Sequence, residues 1–269
     1  MDNRPVGIFD SGLGGLTAAT ALRALLPGEN IVYFGDNGRN PYGVRSVQEI
    51  RRMAREDLEL AASFNAKAVI AACGTISSIA GDVLAAFRLP VFNVLDASTE
   101  KIAKTPGDAP LGVIATSASI KNGAFAKRMK TLCPGREIVA APCQDFVRLI
   151  ESGHTSPDDA VLMKSVEESL AVMKESGVCA LLLGCTHFGV ISAAISAYLG
   201  AEVELVDAAE CAAAGMAEYL TANDMCAEQG TDEYYTSGDP RSFAYYASPL
   251  LGHSISGRVH SAEAGKAET

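Results

Sequence analysis

Short unbroken apolar runs recur along this chain, and most lead into a small polar turn followed by a segment with helical periodicity. Val6-Gly7-Ile8-Phe9, Ile31-Val32-Tyr33-Phe34, Ala68-Val69-Ile70, Leu111-Gly112-Val113-Ile114-Ala115 and Ala180-Leu181-Leu182-Leu183 are of this kind. A strand covered by helices on both faces has no solvent side, so it reads as a continuous apolar run and not as an alternation. The pattern therefore predicts an α/β fold with mainly parallel sheets flanked by helices. In open sheets of this type ligands bind beyond the carboxyl ends of the strands. Two of the runs reach that end in a cysteine: Ala71-Ala72-Cys73-Gly74-Thr75 and Gly184-Cys185-Thr186-His187. One thiol from each half points to a two-sided acid/base site.

With 269 residues, 48% of them hydrophobic, the chain can bury a sizeable core, and its length favours two domains. A net charge of -10 argues against a nucleic-acid or anionic-membrane partner, because neither offers complementary charge. A small anionic substrate stays compatible, since a few local donors outweigh a global field. Met1-Asp2-Asn3-Arg4-Pro5 runs into the first strand without an apolar signal segment. No stretch approaches the roughly 18 apolar residues of a membrane span, so a soluble cytoplasmic protein is expected. The seven cysteines contain no CxxC pair, which fits neither a disulfide framework nor a zinc site. Reduced thiols are the default.

The opening strand, the turn Asp10-Ser11-Gly12-Leu13-Gly14-Gly15 and a helix from Leu16 to Leu26 form one unit. A polar loop from Gly35 to Gly43 precedes a helix from Ser46 to Asn65. Its charged run Arg51, Arg52, Arg55, Glu56, Asp57, Glu59 reads as the solvated side. A helix from about Ser77 to Phe87 and a strand over Val91 to Leu95 follow. Lys104 to Pro110 reads as a connection, after which Leu111–Ala115 and Thr116-Ser117-Ala118-Ser119 repeat the opening pattern. A helix near Phe146 to Glu151, a helix with Ser156 as N-cap and Pro157 at its first position, and a strand at Val203–Val206 are expected next. A helix from about Ala208 to Leu220, a strand at Tyr234–Thr236 and a final helix opened by Asp239-Pro240 complete the series. The tail from Ser261 to Thr269 reads as frayed. The cysteine strand lies about 63 residues after the first strand in one half and about 70 in the other, which points to two related modules with pseudo-twofold symmetry. The expected division is 1–96 with 207–269 as one domain and 97–206 as the other.

Gly12-x-Gly14-Gly15 lacks the Gly-Lys-Ser/Thr of a phosphate loop, and Thr17 stands at the third glycine of a dinucleotide fingerprint. What remains is either a helix N-terminus suited to a carboxylate or a tight structural turn. A lone cysteine at a strand end is usually a small core hydrophobe, but two at matching places are better read as a pair. A thiol with a reference pKa near 8.5 becomes a usable base after a modest shift, and His187 stands close enough to Cys185 to provide one. Thr75 and Thr186 offer hydroxyls to a carboxylate, and Asp10 offers an acceptor to an ammonium group. His154, His253 and His260 receive no role.

At these residues the chain resembles the cofactor-independent glutamate racemases of the aspartate/glutamate racemase superfamily. The match rests on Gly7-Ile8-Phe9-Asp10-Ser11-Gly12-x-Gly14-Gly15-Leu16, on Tyr33-Phe34-Gly35-Asp36 running into Pro41-Tyr42-Gly43, on Cys73-x-Thr75, and on Leu183-Gly184-Cys185-Thr186-His187. Leu149-Ile150-Glu151-x-Gly153 and Thr236-Ser237-Gly238-Asp239-Pro240 with Phe243 add to it. The resemblance implies two α/β domains with the active site between them, and interconversion of L- and D-glutamate, without pyridoxal phosphate or metal, for peptidoglycan synthesis. It implies that one of Cys73 and Cys185 removes the α-proton as thiolate while the other reprotonates the opposite face as thiol. It places Asp10, Ser11, Pro41, Tyr42, Gly43, Gly74, Thr75, Thr116, Thr186 and His187 around the substrate. His187 would assist Cys185, Asp10 would assist the ammonium group or Cys73, and Glu151 would assist at the second cysteine. The partner is a small amino acid, and a homodimer is compatible.

Two departures stand out. Where family members ordinarily carry Asn between the first cysteine and the threonine, this chain has Gly74. Losing a polar contact of about 1.5 to 3 kcal/mol predicts weaker binding or altered substrate choice. The usual His-Tyr-Pro is His187-Phe188-Gly189 here. A racemase of aspartate or another amino acid, and a catalytically weak homologue that binds a metabolite or protein partner, are the alternative readings.

Overall fold

Among residues 1–265, which the computed structural model describes, ten strands form two sheets. The strands are β1 (Val6–Asp10), β2 (Ile31–Gly35), β3 (Ala68–Ala71), β4 (Val91–Asn93), β5 (Leu111–Ala115), β6 (Ile138–Pro142), β7 (Ala180–Leu183), β8 (Glu204–Asp207), β9 (Asp232–Thr236) and β10 (Val259–Ser261). One sheet runs β10-β9-β2-β1-β3-β4 and the other β6-β5-β7-β8, with parallel pairing throughout. Counted within each half, the first four strands follow the same spatial order: second, first, third, fourth. The predicted relation between the modules is thus a shared topology, and β9 and β10 extend only the first.

Helices cover both faces of each sheet, which is why the strands carry no polar alternation. On one face of the first sheet, Leu16, Ala18 and Leu22 pack with Ala209, Ala212, Ala213 and Met216; on the other, Ile50, Met53, Ala54 and Leu58 pack under Phe9 and Phe34. The second sheet is enclosed in the same way, by Phe146, Leu162, Val166 and Leu170 on one side and by Ile102, Phe125 and Met129 on the other.

Several local expectations change. The helix expected over 77–87 is two short ones, Gly74–Ile79 and Gly81–Ala85, broken where Ala80 leaves helical geometry at φ -117 and ψ 22. The first begins directly after Cys73, which is its N-cap residue. The strand at Val91 stops at Asn93, whose side chain accepts from Asp96 N at 2.8 Å and starts a helix over Val94–Ile102 that periodicity had merged with the strand. Asp159, not Ser156, caps the helix Ala160–Glu175, accepting from Val161 N and Leu162 N at 2.8 and 3.1 Å. Ser156 instead closes a local turn onto Asp158 N. Nor is the tail frayed from Ser261: β10 pairs with β9, and Ala262 N donates to Thr236 O at 2.9 Å. Residues 266–269 of that expectation lie outside the described residues.

Candidate active site

In each sheet the chain leaves the first and third strands, which are neighbours, toward opposite edges, and this reversal opens a crevice at their carboxyl ends. Asp10 and Cys73 stand there in the first module, Thr116 and Cys185 in the second. The two crevices share one cavity of about 850 Å³. Every residue singled out from sequence lines it: Asp10, Ser11, Pro41, Tyr42, Gly43, Cys73, Gly74, Thr75, Thr116, Glu151, Cys185, Thr186 and His187.

The helix N-terminus after β1 is not left open for a ligand. Asp10 folds back so that its Oδ1 accepts from Gly12 N at 2.8 Å, and Gly15 N contributes a second bond. The anion that the turn is shaped to hold is the chain's own side chain. Thr186 Oγ1 donates to Asp10 Oδ2 at 3.5 Å, and Thr17 Oγ1 reaches Thr186 O at 3.2 Å, so this turn also grips the second module. Across the cleft Thr75 Oγ1 and Thr116 Oγ1 lie 3.4 Å apart, and Thr116 Oγ1 is 3.1 Å from Ser119 Oγ.

The surroundings of the two sulfurs differ. Cys73 Sγ donates to Ser11 Oγ at 3.4 Å, and burial together with the charge of Asp10 pushes its thiol up to about 12. Cys185 Sγ lies 3.8 Å from His187 Nδ1, and His187 Nε2 is 3.0 Å from Glu151 Oε1. Burial works against charge on His187, but hydrogen bonds with Cys185 and Glu151 and the charges of Cys185 and Asp10 outweigh it, raising the imidazole to about 10. Near neutral pH the site therefore pairs a neutral thiol on one wall with an imidazolium beside the other sulfur. Glu151 reaches Cys185 only through His187. Burial is also the leading reason that Asp10 is shifted upward, countered by the His187 charge and the two amides.

Sequence reading placed Asp57 on a solvated helix face, and there the structure disagrees. Asp57 is fully buried, accepting from Arg39 Nη2 at 2.7 Å and from Tyr42 Oη at 3.0 Å. Tyr42 Oη also donates to Asp36 Oδ2, and Arg39 Nε bonds the same carboxylate at 2.5 Å. Burial, reinforced by Asp36, lifts Asp57 well above the ordinary carboxylate range. Spacing alone puts Asp57 on the face of Ile50, Met53, Ala54 and Ala61, but its partners Arg39 and Tyr42 come from a separate loop, which periodicity does not show. The network fixes the wall formed by Pro41, Tyr42 and Gly43. Tyr42→Phe takes from two buried carboxylates one of the two donors they share, which is expected to cost about 1 to 3 kcal/mol in denaturant unfolding and to raise KM for substrate.

The cavity wall includes residues that the sequence reading passed over, among them Asn37, Asn40, Gln144, Arg148 and Tyr246. Arg148 sits one helical turn before Glu151, and that i, i+3 spacing was the available signal. No group of three or more His, Cys, Asp or Glu among the described residues is arranged to hold a metal ion. No helix among them is long and apolar enough to cross a membrane.

Paired parallel α/β modules that each bring a thiol to one shared cavity define a two-domain α/β enzyme of the racemase class. The sequence pattern of the Asp/Glu/Hydantoin racemase family matches residues 17–216, and the chain belongs to that family. The glutamate racemase of Thermoanaerobacter pseudethanolicus is 35% identical to it over 263 residues, covering 97% of this chain and 98% of the relative. A crystal structure of glutamate racemase from Francisella tularensis in complex with D-glutamate is similar to this fold with a TM-score of 0.88 at 32% identity, covering 98% of both chains. Glutamate racemase isoform RacE1 of Bacillus anthracis gives 0.90 at 28% identity over the same shares.

Proposed function

We propose that this protein interconverts L- and D-glutamate by proton transfer between Cys73 and Cys185, and that the D-glutamate it makes feeds peptidoglycan synthesis. The observation that carries this reading is the placement of two cysteines at equivalent points of two modules, both on the wall of one cavity. Inversion at an α-carbon requires a proton to leave one face and another to arrive on the opposite face, which a group on each side accomplishes without turning the substrate. In one direction the thiolate of one cysteine takes the α-proton and becomes a thiol. The electron pair left on carbon delocalises into the α-carboxylate, and the thiol of the other cysteine returns a proton to the far face. The reverse direction exchanges the roles.

The remaining residues hold that carbon between the sulfurs. Thr75, Thr116 and Thr186 supply hydroxyls to the carboxylate as its charge grows, and Ser11 sits within reach of both substrate and Cys73. Asp10 receives the ammonium group. Tyr42 and Gly43 also line the cavity, and their backbone is a candidate to meet the rest of the substrate. Glutamate is favoured as substrate by the glutamate racemases that resemble this chain over nearly its whole length.

Among the described residues Arg148 is the lone Lys or Arg on the cavity wall, and its nearest carboxylate, Asp145, is 3.9 Å away and 76% exposed. A weakly paired guanidinium at the mouth attracts a dicarboxylate against the protein's negative charge. Arg148→Gln is expected to raise KM about threefold at low ionic strength with kcat unchanged, the difference fading as salt screens the charge.

The experiment that tests the function follows loss of α-deuterium from each enantiomer of glutamate and of aspartate. Exchange from both glutamate enantiomers supports it. Faster exchange from aspartate reassigns the substrate, and exchange from neither refutes racemization.

A further inference from the structure

We propose that Asn37 and Asn40 are a pair of amide donors that hold the side-chain carboxylate of the substrate and select glutamate over its carboxamide. Both residues line the cavity, as does Gly12. A Cβ built on Gly12 has Asn37 Nδ2 and Asn40 Nδ2 each 3.6 Å away, so the two nitrogens converge on one spot of the wall and stand at most twice that distance apart. A carboxylate accepts on both of its oxygens from donors about 2.9 Å away, and that span is within its reach. Among the described residues neither nitrogen donates to another protein group.

The first amide is aimed by Thr236 at the end of β9. Thr236 Oγ1 accepts from Gly238 N at 3.1 Å and donates to Asn37 Oδ1 at 3.2 Å. With its lone pair engaged by Gly238, the hydroxyl offers its one proton, which fixes the oxygen of Asn37 against it and leaves Nδ2 as the free end. Ser237 Oγ fastens both neighbours of Asn37, accepting from Gly38 N at 2.9 Å and donating to Asp36 Oδ1 at 2.6 Å. Asn40 N donates to Asn37 O at 3.3 Å, closing the short 3-10 turn Asn37–Arg39 and tying the second amide to the first.

Neutral donors matter here because this wall has no free cation. Arg39, in the same turn, is committed to Asp36, Glu56 and Asp57 and does not line the cavity, and Arg148 belongs to the second module. The α-carboxylate lies with the threonines between the sulfurs, whereas the two asparagines share a loop with Tyr42 and Gly43. Asp10 Oδ1 is 4.0 Å from the same spot, but it is turned onto Gly12 N at 2.8 Å. A carboxylate only accepts, so it satisfies both amides. A carboxamide turns its own N–H groups toward one of them and leaves donor facing donor, which is the kind of mismatch a hydrogen-bonding site rejects.

This inference rests on the proposed action on glutamate, and its test reads binding as well as turnover. Calorimetric titrations use equimolar mixtures of the L and D forms of glutamate and of glutamine, so that racemization contributes no net reaction. Asn37→Asp and Asn40→Asp keep the shape of the residue and replace a donor by an acceptor. Each is expected to weaken glutamate about 10-fold and to tighten glutamine, a reversal of preference that a damaged fold does not produce. Asn37→Ala and Asn40→Ala, which add no charge, should weaken glutamate about 10-fold at low and high ionic strength alike, and should raise KM by the same factor with a much smaller change in kcat. A ratio of glutamine to glutamate affinity equal to that of wild type in both aspartate variants, or wild-type glutamate binding in both alanine variants, overturns the assignment. So does a wild-type protein that binds no glutamate. A wild-type protein that binds glutamate with the predicted variant effects but exchanges no α-proton refutes the racemization and upholds the amide pair.

Discussion

Serine at position 73 or 185 is expected to lower racemization of glutamate about 1000-fold, because a hydroxyl in the same place is far too weak an acid to give up or replace the thiol proton at neutral pH. The two variants should fail differently. Each retains one sulfur, on one face of the α-carbon, and so retains some capacity to exchange the α-proton of the enantiomer that presents hydrogen to that face. Exchange measured on L- and D-glutamate separately should show opposite preferences in Cys73→Ser and Cys185→Ser. Equal loss on both enantiomers in both variants would contradict the assignment of one sulfur to each face. Wild-type rates in either variant would remove that cysteine from the mechanism.

The second large effect belongs to His187. Its imidazole, raised to about 10 against the pull of burial, lies 3.8 Å from Cys185 Sγ, and in the proposed mechanism it serves as the cation beside that sulfur through the neutral range. As pH rises through about 10 that cation is lost, so racemization should decline on the alkaline side with an apparent pKa near that value. His187→Asn should run about 10- to 100-fold slower and lack this alkaline limb. Glu151→Gln removes one of the interactions that raise the imidazole, and its limb should move down toward the ordinary histidine value of 6.5. The same shift fixes the sign of its effect on folding. A histidine whose pKa is higher in the folded state adds stability that is complete below about 6.5 and is lost as pH climbs through about 10. An unchanged alkaline limb in Glu151→Gln would detach His187 from that carboxylate.

The parts of this site that could be read from sequence are those written into local patterns. Cys73, Cys185 and Thr116 each follow a buried strand and Asp10 ends one, and the strand itself announces where its carboxyl end falls. The helix that carries Glu151 was likewise visible, but that Glu151 meets His187 and not Cys185 depends on how helix and turn pack, which no spacing encodes. Asp57 shows the limit most plainly. Its residue type groups it with Glu56 and Arg55, although by spacing it shares the face of Met53, Ala54 and Ala61, and the loop folding over it, with Arg39 and Tyr42, supplies the partners of a buried carboxylate. The merged helix at Val94 was hidden because Asn93-Val94-Leu95 continues an apolar strand pattern while Asn93 is already capping the next helix.

At low conversion of glutamate in deuterium oxide, the isotope at the α-carbon of both product and remaining substrate reports which group delivered the returning proton. With sulfur on each face, product should carry solvent deuterium while unreacted substrate keeps its original hydrogen, in both directions of the reaction. Product that retains the substrate's own hydrogen would mean that a single group serves both faces, and the two-module account of this cleft would be wrong.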